Sequence, residues 1–437
     1  MTALDLWSPP GATPAPRAPW YGRLRLTPVG LVAGLVCTAI VILPVLVPSG
    51  PANTGPVDLL ILVALGVLAL DSLAYRTVLH LPYGLPVAVL IVAGGLAALD
   101  RGRALTSGVA LVQDVVLLLW GATVASLGRN PVLLRRFLRL WVATATTWSV
   151  VLVVAVNVGF DRVAGISADE GGRASLTFGD PNRAGSYFAT SFLLLMAAGW
   201  PTKRAARWSC GAILLLATAY TGSNAAIVSL VVACLFGAGV RYWRRHGVIS
   251  LALAGAVIAA PIALVLTTVD VSSLAQRATH GGRILANSVA RSDKGASDRV
   301  LLVSENLAIY RSHGIEGVGP DGTKPLLSAE QAPYVKEAHN DYLAALLERG
   351  VLGAIGLIAL WVAVIARCLP LCSRRPDPRL LVVMARPEML AGAALAAATF
   401  GWFHEALHFR HVWVVFGLVA ATSLMAGRET SGEGGGA

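Results

Sequence analysis

Uninterrupted apolar runs dominate the chain, in place of the two-residue alternation of a strand or the narrow stripe of a soluble helix. Runs long enough to cross a bilayer, or nearly so, fall at 28–48, 57–75, 82–99, 108–127, 138–158, 183–201, 207–222, 224–240, 248–269, 347–366, 383–403 and 412–427. The pattern predicts an all-α polytopic membrane protein with about twelve transmembrane helices. Its organisation then reads as a tail over 1–27, spans one to nine over 28–269, a long loop over 270–346, spans ten to twelve over 347–427 and a tail over 428–437. Met1 to Pro19 is Pro-rich and lacks the charged-then-apolar pattern with a cleavage site, so it reads as a disordered tail and not a signal peptide.

A loop as long as 270–346 is uncommon unless it has work to do. Within it, Asp298 to His313 reads as an amphipathic helix stopped by Gly314, followed by the turn-rich Gly314 to Pro325. Ser328 with Gln331 three residues on has the form of a capping box that starts a second helix. Asn340 is placed to cap the helix that becomes the tenth span.

Composition closes off the soluble classes. Of 437 residues, 56% are hydrophobic and only 14% charged, with a mean hydropathy of +0.68, a balance that fits lipid as the solvent. The excess of 35 Lys+Arg over 24 Asp+Glu would point to nucleic acid in a soluble protein. Here it sorts by topology instead. With a cytoplasmic N-terminus the inner segments hold 20 basic residues and the short outer loops only 6: Arg101, Arg103, Arg162, Arg173, Arg183 and Arg410. Both termini are therefore expected in the cytoplasm of a bacterial cell, with the long loop outside and no nucleic-acid partner. Cys37, Cys210, Cys234, Cys368 and Cys372 avoid the long loop and read as packing residues.

Candidate chemistry collects on the outer side. His339-Asn340-Asp341-Tyr342 lies where the long loop meets the tenth span, beside a helix N-terminus that favours anions. An imidazole ordinarily titrates near neutral pH and suits a general base. Arg277, Arg283, Arg291, Arg299 and Arg311 precede it in the loop, and Arg173 and Arg183 lie in the other substantial outer loop. A guanidinium offers a planar fork of donors for phosphate oxygens, which a lipid diphosphate would need. Phe178 to Phe188 contains Asp180-Pro181-Asn182, a turn and helix-cap signature.

These pieces resemble the O-antigen ligase and polymerase family of membrane glycan transferases. The set is Arg173 with Phe178-Gly-Asp-Pro-Asn182, Tyr220-Thr-Gly-Ser-Asn224, Asp298-Arg299 with Gly317-Val-Gly319, and His339-Asn340-Asp341-Tyr342 with Glu348-Arg-Gly350-Val-Leu-Gly353, in order over roughly 110–425. The resemblance implies transfer of a glycan, outside the cytoplasmic membrane, from a polyprenyl-diphosphate carrier to the hydroxyl of a glycan or lipid-glycan acceptor, with no cofactor, nucleotide sugar or metal. It casts His339 as the base, Arg299, Arg173, Arg183 and Arg311 as diphosphate ligands, and Asp180, Asn182, Asn224, Asn340, Asp341 and Glu405 as residues that shape the site. One position departs: such ligases commonly carry an arginine after the serine where this chain has Asn224.

Two alternatives compete. His404-Glu405-Ala406-Leu407-His408 satisfies the H-E-x-x-H pattern of a zinc protease, although the only acids after it, Glu429 and Glu433, fall in the tail. Its plainer reading is a polar turn between the last two spans, with Glu405 and Arg410 facing the outer cleft. Asp114 in the fourth span and Glu388 near the inner end of the eleventh would suit a transporter or a flippase of lipid-linked glycans.

Overall fold

The structure is a computed structural model that describes residues 28–47, 54–75, 79–100, 104–166, 172–268, 292–313, 315–329 and 338–426. Fifteen α-helices follow in chain order among these residues. They are α1 Pro28–Val41, α2 Pro56–Tyr75, α3 Gly84–Asp100, α4 Ala104–Gly128, α5 Pro131–Val158, α6 Asp161–Ala164, α7 Pro181–Ala198, α8 Arg204–Tyr220, α9 Asn224–Thr268, α10 Ser292–His313, α11 Thr323–Ala329, α12 Asp341–Cys372, α13 Pro378–Val383, α14 Pro387–Phe400 and α15 Arg410–Ala426. No strand occurs among the described residues. Five helices are long and apolar enough to cross a bilayer, within α2, α4, α5, α9 and α12, and shorter apolar helices lie in α1, α3, α14 and α15.

Helix boundaries follow local chemistry. Asn130 caps α5 through a 2.9 Å bond from the Val132 N–H, with Pro131 in the first turn where its missing donor does no harm. The apolar run 224–269 folds as one helix broken at Gly247 (φ 84°, ψ 174°), so its two predicted spans meet at the glycine after Arg241, Arg244 and Arg245. The run 383–403 shortens to α14 instead, because Val383 ends α13 and Pro387 opens the next helix.

Two loop expectations change. The helix predicted from Asp298 begins earlier, at Ser292, and ends at His313, while Gly314 lies outside the described residues. Ser328 is not a helix start: α11 begins at Thr323 and already contains it, and Gln331 lies outside the described residues. The Thr323 hydroxyl donates 3.0 Å to Glu348, so the start of α11 is fixed by a tertiary bond that a local capping pattern does not report.

The bundle packs α12 along α3, α15 along α4, and α14 against both α9 and α7. Trp120, Trp141, Tyr187 and Phe416 are fully buried in its core. A second, smaller core of Leu302, Ile309, Val318, Leu327, Ala338 and Leu347 seats α10 and α11 on the first turns of α12. The deep charges are paired: Asp114 with Arg349 at 2.7 Å, Glu388 with Arg244 at 2.7 Å and Asp58 with Arg410 at 2.8 Å. Pairing gives Asp114 and Glu388 a structural function that a transporter reading does not need to supply.

The seat of the loop on α12 depends on Gly350. Its φ of 65° and ψ of −166° interrupt α12. The break leaves the Leu347 and Glu348 carbonyls to accept from the Val318 and Gly319 N–H groups at 2.8 and 3.0 Å. A Cβ on Gly350 would lie 2.1 Å from the Ile315 carbonyl oxygen, and one on Gly317 would lie 2.6 Å from the Gly350 nitrogen. The two glycines interlock. Gly350→Ala is therefore expected to destabilise the protein by roughly 1–3 kcal/mol, through the left-handed conformation and the backbone clash together. Thermal unfolding of the purified protein measures this, and an unchanged midpoint would show that the helix break is not required.

Candidate functional site

Four helix N-termini meet at one end of the bundle, those of α7, α9, α12 and α15. Each presents about half a positive charge and unsatisfied N–H groups. At α7 the cap is Asp180, whose Oδ1 accepts from the Asn182 and Arg183 N–H groups at 2.6 and 3.4 Å. At α12 the cap is Asn340, whose Oδ1 accepts from Tyr342 and Leu343 at 2.9 and 3.0 Å. Its Nδ2 donates to the Trp402 carbonyl at 3.0 Å and so ties this cap to the turn after α14.

The caps bring distant side chains together. The Nε2 of His404 lies 3.6 Å from the other carboxylate oxygen of Asp180, Oδ2. The His339 and His404 rings stand edge to face, 4.8 Å between centroids. His339, His404 and Asp180 thus form a line running from the loop into the bundle. His339 holds a φ of 48°, unusual for a residue with a Cβ, a strain of about 1–3 kcal/mol that the adjoining Asn340 cap helps to hold. Half-buried, it keeps one side open.

Arginines flank the line. Arg183 lies over the Phe409 ring, 5.3 Å from its centroid. Arg173 is buried, donating from Nε to the Thr221 carbonyl at 2.9 Å and from Nη2 to Asn182 Oδ1 at 2.7 Å. Asn182 Oδ1 also accepts from the Ser223 hydroxyl at 3.0 Å, so Arg173, Asn182 and Ser223 lock the start of α9 to the start of α7. Asn224, one residue on, is exposed at the first position of α9. Arg311 is exposed on α10 and makes no contact with these groups among the described residues. Arg299 falls on the backbone of α10, but its side chain lies outside the described residues, as do Arg277, Arg283 and Arg291 altogether.

Asp341 is buried beneath His339. Its oxygens accept from the Ala406 and Leu407 N–H groups at 3.0 and 3.3 Å, and its own N–H donates to the Gly401 carbonyl at 2.8 Å. It therefore shapes the 401–409 turn. Glu405 lies on that turn, 3.5 Å from His408 Nδ1, and faces a cavity of about 50 Å³ that Asp114, Asp341 and Arg349 also line.

Among the described residues, the H-E-x-x-H segment is a bend followed by a 3-10 turn, Ala406–His408, and not an α-helix. Its two histidines consequently have different partners, His404 with Asp180 and His339, His408 with Glu405. The helical spacing on which the zinc reading depends is not present there.

Reading the sequence alone treats His404 as half of that pattern and misses its place beside His339. It also misses the buried pair of Ser186 and His411, 3.1 Å apart. A polar residue near the start of each of two apolar runs, Ser186 inside 183–201 and His411 just before 412–427, is the signal that could have found them.

Burial alone would raise the Asp180 carboxyl. His404, the Arg183 guanidinium and the two cap N–H donors outweigh it and hold the group below the usual carboxylate range. A depressed carboxylate contributes stability in full above its ordinary value of 3.8, and loses it as pH falls through the lowered value. Asp180→Asn is accordingly expected to flatten the acid limb of Tm against pH for the purified protein. An acid limb identical to that of the unaltered chain would remove Asp180 as its source.

No curated protein matches the chain. A family model does so over a narrower stretch than the motifs suggest, covering Ser223, His339 and Arg349 but not Asp180 or His404. Residues 209–358 match the family described as O-Antigen ligase, and the chain is thus O-antigen ligase-like across the helices and loop that carry its candidate base.

Proposed function

We propose that this protein transfers a glycan from a polyprenyl-diphosphate carrier to an acceptor hydroxyl at the outer face of the bacterial cytoplasmic membrane. About twelve spans and two cytoplasmic tails put the 270–346 loop and the four helix N-termini on that face. The observation that carries the reading is the line His339, His404, Asp180 beside Arg183, at a confluence of positive helix ends.

In this reading His339 takes the proton from the acceptor hydroxyl as its oxygen attacks the anomeric carbon. The bond from that carbon to the diphosphate oxygen breaks, and the polyprenyl diphosphate leaves with the electron pair. His404 and Asp180 orient the imidazole and stabilise its positive charge. Arg183, with Arg299 and Arg311 from the loop, neutralises the leaving diphosphate, while Arg173 and Asn182 hold the geometry. Activation resides in the donor, so no nucleotide sugar is used outside the cell.

Proteoliposomes of the purified chain with a polyprenyl-diphosphate-linked oligosaccharide and a glycan acceptor provide the test. Polyprenyl diphosphate is expected to appear in step with lengthened acceptor. Product formed without release of the carrier diphosphate, or no product from any such donor, would refute the proposal.

A further inference from the structure

A second site opens at the other end of the bundle. A cavity of about 310 Å³ is lined by Arg204, Arg207 and Arg386 together with Phe192, Leu195 and Trp208. It sits at the C-terminal half of α7 and the N-terminal turn of α8. Its α7 lining, Phe192 to Met196, lies about 18–24 Å along the helix from the Asp180 cap, most of the thickness of a bilayer core.

Its charge is unbalanced. Arg207 donates from Nη1 to the Gly199 carbonyl at 2.8 Å, and Arg386 reaches the Met196 sulfur only at 3.9 Å. Arg207 and Arg241 both repel the Arg386 guanidinium. The acid that acts on it, Glu388, is already paired with Arg244 at 2.7 Å. A topological excess of arginine would be satisfied by scattered, solvated side chains. Here three guanidinium groups converge on one cavity. The adjoining N-termini of α8 and α14 also have no side-chain cap. Trp208, 68% exposed, stands at the rim as an indole does at the headgroup level of a bilayer.

We infer that this cavity binds the phosphate of an anionic phospholipid in the leaflet opposite the candidate active site. The arginines hold the phosphate oxygens, and Phe192 and Trp208 form the apolar wall along which an acyl chain lies. A soluble phosphate would match the charge but leave that wall without a use. The inference does not depend on the transferase reading.

Native mass spectrometry of the full chain in detergent tests it. Phosphatidylglycerol is expected to remain bound at concentrations where phosphatidylcholine does not. Arg207→Gln with Arg386→Gln should weaken that binding by about tenfold or more, whereas Arg374→Gln, on the loop after α12 at the same end, should not change it. The pair Arg207→Lys and Arg386→Lys keeps the charge and should bind better than the glutamine pair; equal loss in both pairs would overturn the proposal. So would an unchanged adduct in the glutamine pair, or displacement of the lipid by millimolar inorganic phosphate, which would mark a soluble-anion site. Glycan transfer in nanodiscs free of anionic lipid reports separately on the outer site.

Discussion

His339→Ala is expected to lower glycan transfer by roughly 100- to 10,000-fold, the range that a positioned general base contributes, with the protein still inserted and folded. Its side chain is half-buried and meets the His404 ring edge to face. The caps beneath it belong to Asn340 and Asp341, which the substitution leaves alone. Alanine is somewhat less favoured than histidine at a φ of 48°, a small local cost that the unfolding midpoint of the variant reports. His404→Gln, by contrast, removes a positioning residue, so transfer should fall less and the pH profile should shift, because Asp180 would no longer be coupled through an imidazole to the base. Transfer at the unaltered rate in His339→Ala would remove the base assignment. An unmoved pH profile in His404→Gln would reduce the line to a pair of neighbouring rings.

How much of this could be read from the chain depends on the range of the interaction involved. The caps at Asp180 and Asn340 were legible because a cap is a local exchange between a side chain and N–H groups two or three residues on. The motif glycines were visible as motifs but not as a mechanism. Only the fold reveals that Gly350 breaks α12 so that the Leu347 and Glu348 carbonyls can hold Val318 and Gly319. At His404 the polar-turn reading holds, since H-E-x-x-H has meaning only on a helix and this segment bends. Its partner Asp180 sits on another helix, far away in sequence, where no periodicity could join them. The same holds for the deep acids, which look like functional suspects until Arg349 and Arg244 are found beside them.

Asp58→Ala carries the largest expected effect on stability, about 3–5 kcal/mol, the loss typical when one partner of a buried ion pair is removed. Arg410 donates from Nε and Nη2 to both Asp58 oxygens, at 2.9 and 2.8 Å, and the two side chains are only 4% and 11% exposed. Asp58 also accepts from the Gly55 N–H at 2.7 Å in the first turn of α2, so the pair joins α2 to the start of α15. Without it, the guanidinium loses its bidentate carboxylate in the protein interior. Asp58→Leu combined with Arg410→Leu removes both charges and should restore most of the stability, since the pair's desolvation is avoided together with its attraction. Transfer need not return with it. Arg410 leads into His411, which bonds Ser186 on α7, so the pair also sets the register of the turn bearing His404. Unfolding in mixed micelles separates the two contributions. If Asp58→Ala unfolds within about 0.5 kcal/mol of the unaltered chain, water already solvates Arg410 and the pair is not buried in the sense that governs its energy. If instead the double variant recovers stability but not transfer, the ion pair acts on the reaction by holding α15 in place, and the site's geometry is set from the membrane side as well as from the loop.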